Sequence, residues 1–319
     1  MSVSSPGRSV SGTVPVPAGA GFSPRQYRQF AFITLGAVAV FWIFRHLPTG
    51  TNLNHMDFRV QGGNSIEMCD PANPQFIPVV NVRSPVTMVL RTEGPAAAGR
   101  EVRAAFTLQT ASGKPVAPED LAIAHTKKMH LLIADPTLTD YQHVHPLPTR
   151  TPGEWTFHFT PRFGGTYRIF ADFTPVATGR GLYANTELAV AGASAPAAGR
   201  ILSWTFEREG YRFQLQPGAL PLRARQPIDL KFGVTRLDGG AVPMEPVMGA
   251  YAHLVAFDEG RSGFAHLHPM EIDLSQRPDA LHPTLSFKLT IPAPGRYVIW
   301  AQVNLGGREM FAPFWFDVI

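Results

Sequence analysis

Residues 127–146 read KKMHLLIADPTLTDYQHVHP, and residues 250–269 read AYAHLVAFDEGRSGFAHLHP. The first carries His130, His143, His145 and Pro146, the second His253, His266, His268 and Pro269, with the same steps of thirteen, two and one. The flanks repeat too. Val102, Phe106 and Leu108 before the turn Ser112-Gly113-Lys114 match Ile228, Phe232 and Val234 before Asp238-Gly239-Gly240, and Gly165, Tyr167 and Phe170 match Gly295, Tyr297 and Trp300. A pattern returning at this length marks a duplicated domain.

Each copy alternates apolar and polar residues, as in Trp155, Phe157, Phe159 and in Leu285, Phe287, Leu289, Ile291, with runs ending in Pro, Gly, Asp or Asn. Period two with frequent turns reads as antiparallel strands. The fold expected is all-β: two tandem immunoglobulin- or cupredoxin-like β-sandwiches over residues 76–192 and 199–319, after one N-terminal transmembrane helix. The Ala/Gly/Ser/Pro run from Ala191 to Gly199 is the linker between them, and helix within a sandwich is expected only near Pro118 to Leu121.

From Gln29 to Phe44 no residue is charged, and Arg25, Arg28 and Arg45 bracket the run. The reading is an uncleaved signal anchor over residues 29–46, with a disordered cytoplasmic leader at 1–28 and a linker at 47–75. Arginines lead the span, so the N-terminus is expected in the cytoplasm and the bulk of the chain in the periplasm or outside the cell. The partners expected are the lipid membrane, through this helix, and a membrane or periplasmic protein.

Composition excludes other classes. The 319 residues hold 30 Pro and 29 Gly with only 16% charged, which rules out long coiled coils. The net charge of +4 is spread thinly: eleven basic against nine acidic residues over 76–192, and twelve against twelve over 199–319. Neither domain has the cationic face that phosphate binding needs, so a nucleic-acid role is excluded. Cys69, the sole cysteine, rules out an internal disulfide and any CxxC site.

The histidines carry the chemistry. In a hairpin whose paired positions sum to 273, His130 faces His143; at 275 it faces His145. Either register puts all three imidazoles on one face, and the same holds for His253, His266 and His268. Three converging neutral imidazoles form a ligand set for copper or zinc with a position left open. Five residues upstream of each first histidine, His125 and Met248 correspond, as candidate fourth ligands. Asp172 and its counterpart Gln302 have no spacing that aims them at the histidines. Met129 is expected in the core and His158 in solvent.

The hairpin Met129-His130-Leu131 with His143-Val144-His145-Pro146, followed by Gly165 to Phe173, resembles bacterial exported domains of the YtkA-like group. That resemblance covers most of residues 76–319 and implies a link to heavy metals or copper. The second copy departs from it with Gln302-Val303 in place of Asp172-Phe173. The function expected is thus an extracytoplasmic metal-binding protein anchored in the membrane. The alternative is a structural or interaction module whose histidines hold a hairpin. An enzyme ranks last, since the chain has no GxSxG, P-loop, HExxH or GxGxxG context.

Overall fold

The computed structural model describes residues 22–46, 53–58, 74–196 and 200–319. Cys69, the leader before residue 22 and most of the 47–75 linker lie outside them.

In the first repeat the strands are β1 (Val86–Thr92), β2 (Val102–Thr110), β3 (Met129–Ala134), β4 (Tyr141–Val144), β5 (Leu147–Pro148), β6 (Glu154–Phe159), β7 (Gly165–Phe173) and β8 (Leu182–Val190). They form two antiparallel sheets, β1-β2-β6-β5 and β4-β3-β7-β8. In the second repeat they are β9 (Thr205–Arg208), β10 (Tyr211–Pro217), β11 (Pro227–Arg236), β12 (Met244–Glu245), β13 (Ala252–Asp258), β14 (Phe264–Leu267), β15 (Thr284–Thr290), β16 (Gly295–Leu305) and β17 (Arg308–Val318). Here β15-β11-β10-β9 faces a sheet in which β13 lies between β14 and β16, and β17 and the short β12 also pair with β16. The helix expected near Pro118 is one 3-10 turn, Pro118–Asp120.

Alternation builds each core. Phe106, Leu108, Trp155, Phe157 and Phe159 from one sheet meet Leu131, Ile133, Tyr167 and Ile169 from the other. In the second repeat Phe213, Phe232 and Phe287 meet Leu254, Ile299 and Phe314. Met129 is in the first core, as expected.

A third core joins the repeats. β3 is buried at every position and β13 at every one but its last, Asp258, so their sheets are covered on both faces. Leu132, Ala134 and Phe170 of the first repeat pack outward against Val255, Phe257, Phe264, Val298, Trp300 and Trp315 of the second. At ~1.5–3 kcal/mol for each large side chain buried, this is a fixed interface rather than a loose contact between domains. Trp300 Nε1 also donates to the Leu138 carbonyl at 3.2 Å across it. The two histidine-bearing sheets thus face each other.

The N-terminal unit is the helix α1, Pro24–His46. Ser23 caps it: its Oγ accepts from the Gln26 N–H at 3.3 Å, while Gln26 Oε1 accepts from the Ser23 N–H at 2.8 Å. The helix forms where the uncharged run ends a Pro/Gly-rich leader, but the transmembrane expectation is corrected. Among the described residues no helix is long and apolar enough to cross a membrane. The sixteen uncharged residues rise only ~24 Å at ~1.5 Å each, short of the ~30 Å hydrocarbon core, and Gln29, Thr34 and Gly36 dilute their apolarity.

Candidate metal centre

The β3–β4 register pairs Leu131 with Val144 and Leu132 with His143, a constant sum of 275. Carried one step past the strand end, it sets His130 opposite His145. In the second repeat Leu254 pairs with Leu267 and Val255 with His266, which sets His253 opposite His268. All six rings project from the outer face of their sheet, beside Leu132 and Val255 and towards the other repeat. In each triad one nitrogen from every histidine lies within 4.8 Å of the other two.

Hydrogen bonds fix which nitrogens these are. His130 Nε2–H donates to the Ala124 carbonyl at 3.1 Å, and His253 Nε2–H to the Val247 carbonyl at 3.0 Å, leaving Nδ1 of each ring as a bare lone pair. The two acceptors sit in equivalent tight turns, Ala124–Lys127 and Val247–Ala250, whose central residues all have positive φ: His125 at 49°, Thr126 at 68°, Met248 at 50° and Gly249 at 78°. Such a turn costs strain at Thr126, a β-branched residue, and it is what aims the carbonyl at the ring.

The middle histidine of each triad is held by the opposite repeat. His266 Nδ1–H donates to Asp172 Oδ2 at 3.0 Å, and His143 Nδ1–H to Gln302 Oε1 at 2.8 Å. Gln302 is oriented by its own amide N–H, which donates to Glu309 Oε2 at 2.8 Å. Both middle rings therefore present Nε2 as a lone pair. The set facing each focus is the same twice: bare Nδ1 of the first histidine and bare Nε2 of the second, with Nε2 of the third, His145 or His268, turned in beside them.

These lone pairs meet one another. His143 Nε2 lies 3.0 Å and His145 Nε2 3.2 Å from His130 Nδ1. Since His130 and His143 have spent their protons elsewhere, two acceptors face each other at contact distance. In the second triad His253 Nδ1, His266 Nε2 and His268 Nε2 are buried with no hydrogen-bond partner among the described residues. A buried unsatisfied polar atom costs ~1–3 kcal/mol, and a cation at this focus would satisfy such nitrogens together.

A proton is a poor one here. Burial pushes the His253 pKa down to about 3, and burial with Lys127 nearby holds His145 at about 4. His143, His266 and His268 are held well below the ordinary imidazole value, again by burial first and neighbouring histidines second. At neutral pH the rings are neutral, the form that binds metal.

His125 joins the cluster across the interface. Its ring stacks on His268 of the second repeat, with centroids 3.4 Å apart and planes at 16°, and lies 6.2 Å from His130. Its outer edge is exposed, while the cluster behind it desolvates the ring and lowers its pKa. Stacking turns its face, not its lone pair, to His268, so it stands beside the triad and not in it. Met248 occupies the equivalent turn tip, half-buried. The triads adjoin: His143 and His266 centroids are 5.3 Å apart and His130 and His266 5.4 Å, as close as rings within a triad. His158 is exposed and 3.5 Å from Glu101, away from the cluster.

Asp172 and Gln302 are the residues of this cluster that the spacing did not reveal. They are the cross-strand partners of His130 and His253 on β7 and β16, hence on the histidine face. Their signal was the equivalence of the two positions, and Glu309 behind Gln302 had none.

Comparison with known proteins follows the duplication. A domain of unknown function, DUF8832, matches residues 82–191 and again residues 206–319. It is this family, and not the YtkA-like group, that the match returns. No curated protein matches the sequence. Among solved structures, the chain is similar to a Corynebacterium diphtheriae protein inferred to be membrane-anchored, at 10% identity and a TM-score of 0.24 over 74% of this chain and 59% of that one. It is also similar to fibronectin(III)-like modules of Clostridium thermocellum CbhA, at 12% identity and a TM-score of 0.18 over 72% of this chain and 93% of that one. A DUF4785 family protein of Legionella pneumophila matches at 10% identity and a TM-score of 0.23, over 71% of this chain and 55% of that one. The chain thus spans little more than half the length of the first and third.

Proposed function

We propose that this chain, which belongs to the DUF8832 family twice over, is a metal-binding protein that holds one copper or zinc ion in each of its two three-histidine sites. The observation that carries the reading is the donor set: six buried or half-buried imidazoles converging in threes, four of which have their outward N–H groups spent on carbonyl, amide and carboxylate acceptors. Hydrogen bonding of the remote nitrogen is how proteins orient a metal-ligating histidine and raise its basicity. A hairpin held only by structural histidines would give the inward nitrogens hydrogen-bond partners, and the second triad leaves all three without one.

Neutral imidazoles suit zinc and copper, and three protein ligands leave a coordination position open. The resemblance of the HVHP hairpin to exported YtkA-like domains supports heavy-metal handling outside the cytoplasm. The test is elemental analysis of the untagged full chain, beside a chain with His143, His145, His266 and His268 changed to Ala. Copper or zinc near two per chain, lost in the folded variant, is the expected result; a wild-type chain that stays metal-free after exposure to both ions overturns the proposal.

A further inference from the structure

We propose that the two sites are unequal, and that the His253, His266, His268 site binds a divalent ion more tightly because Asp172 of the first repeat backs it with a carboxylate where the other site has an amide. This rests on the metal-binding reading above and extends it to the order in which the sites fill. The two backing groups are exchanged between repeats. Asp172 on β7 pairs with His130 of its own repeat yet bonds His266 of the other at 3.0 Å. Gln302 on β16 pairs with His253 yet bonds His143 at 2.8 Å.

Duplication made these positions equivalent, and the sequence then made one an anion and the other a neutral amide. A carboxylate on the remote N–H raises the donor strength of the ligating nitrogen and offsets part of the charge of a bound dication in a poorly solvated site. An amide offers only a dipole. Glu309 lies behind Gln302, but its charge reaches His143 through the amide alone, and Glu309 itself is exposed. Asp172 has no such intermediary, and its carboxylate is largely shielded, with 19% of the side chain exposed. The bonds of His266 to Asp172 and of His143 to Gln302 exist only while the repeats are docked, so each site's strength depends on the other domain's sheet.

The experiment is a titration of the metal-free full chain with Zn²⁺ against a chromophoric chelator. The wild type should fill in two separated steps. Asp172→Asn keeps an acceptor for His266 and nearly the same volume, and should weaken the tighter step about 10- to 100-fold. Gln302→Glu should tighten the weaker step, a gain that misfolding cannot imitate. A chain with His143 and His145 changed to Ala should keep the tight step, and one with His266 and His268 changed should keep the weak one. Two equal steps, or a tight step unmoved in Asp172→Asn, would overturn the inequality and leave the two sites standing. No zinc bound by folded wild-type chain would overturn both.

Discussion

Acid should unfold the metal-free protein through its histidine cluster. His253 is fully buried, and burial pushes its pKa from 6.5 to about 3, even though the Val247 carbonyl favours the charged ring. Unfolding returns the ring to its ordinary value, so between those limits the unfolded chain binds a proton that the folded chain refuses. Stability is therefore complete above pH 6.5 and is lost as pH falls towards 3, at ~1.4 kcal/mol per pH unit for one such group. At about pH 4.5 His253 alone costs about 3 kcal/mol, against a total of ~5–15 kcal/mol for a typical protein. His125, His130, His143, His145, His266 and His268 are shifted in the same direction, so the slope should exceed that of one group. The assay is urea unfolding of chelator-treated protein from about pH 7 to about pH 4, with His253→Asn alongside, whose amide can still donate to Val247. The variant should show a shallower slope by about one proton. A midpoint that stays flat over this range, or an unchanged slope in His253→Asn, would refute the reasoning.

Two further expectations concern the frame around the site. Trp300→Ala removes a ring packed between the repeats and its bond to Leu138, and should cost ~3–5 kcal/mol of stability in urea while weakening metal retention, since the backing hydrogen bonds need docked repeats. His158→Ala is the control: its side chain is 74% exposed, so thermal stability should change by no more than ~0.5 kcal/mol and metal content not at all.

The sandwich class was legible because strands such as β15 bury every second residue, the pattern their sequence shows. The triads were legible because a step of two keeps two residues of a strand on one face, whichever register the hairpin takes; only the strand pairing selects 275. What lay hidden was non-local. Nothing in the spacing of His130 says that its sheet has a second covered face, although the unbroken apolar run Met129 to Ala134 is what such a strand requires. Placing Asp172 opposite His130 needs the β3–β7 register, and placing it on His266 needs the docking of two domains. Proximity in sequence places His125 with its own triad, whereas the tight turn carries it across to His268. The helix Pro24–His46 was legible from its uncharged run, but a run bounded by Arg28 and Arg45 is too short and too polar for a span.

The most direct test of the paired sites is anomalous diffraction at the zinc and copper edges from crystals of the metal-loaded protein. The account predicts two peaks at the interface between repeats, each ~2.0–2.1 Å from three imidazole nitrogens: His130 Nδ1, His143 Nε2 and His145 Nε2 for one, His253 Nδ1, His266 Nε2 and His268 Nε2 for the other. Loaded protein with no peak at either triad, or with metal bound through the nitrogens that face Ala124, Val247, Asp172 and Gln302, would contradict it.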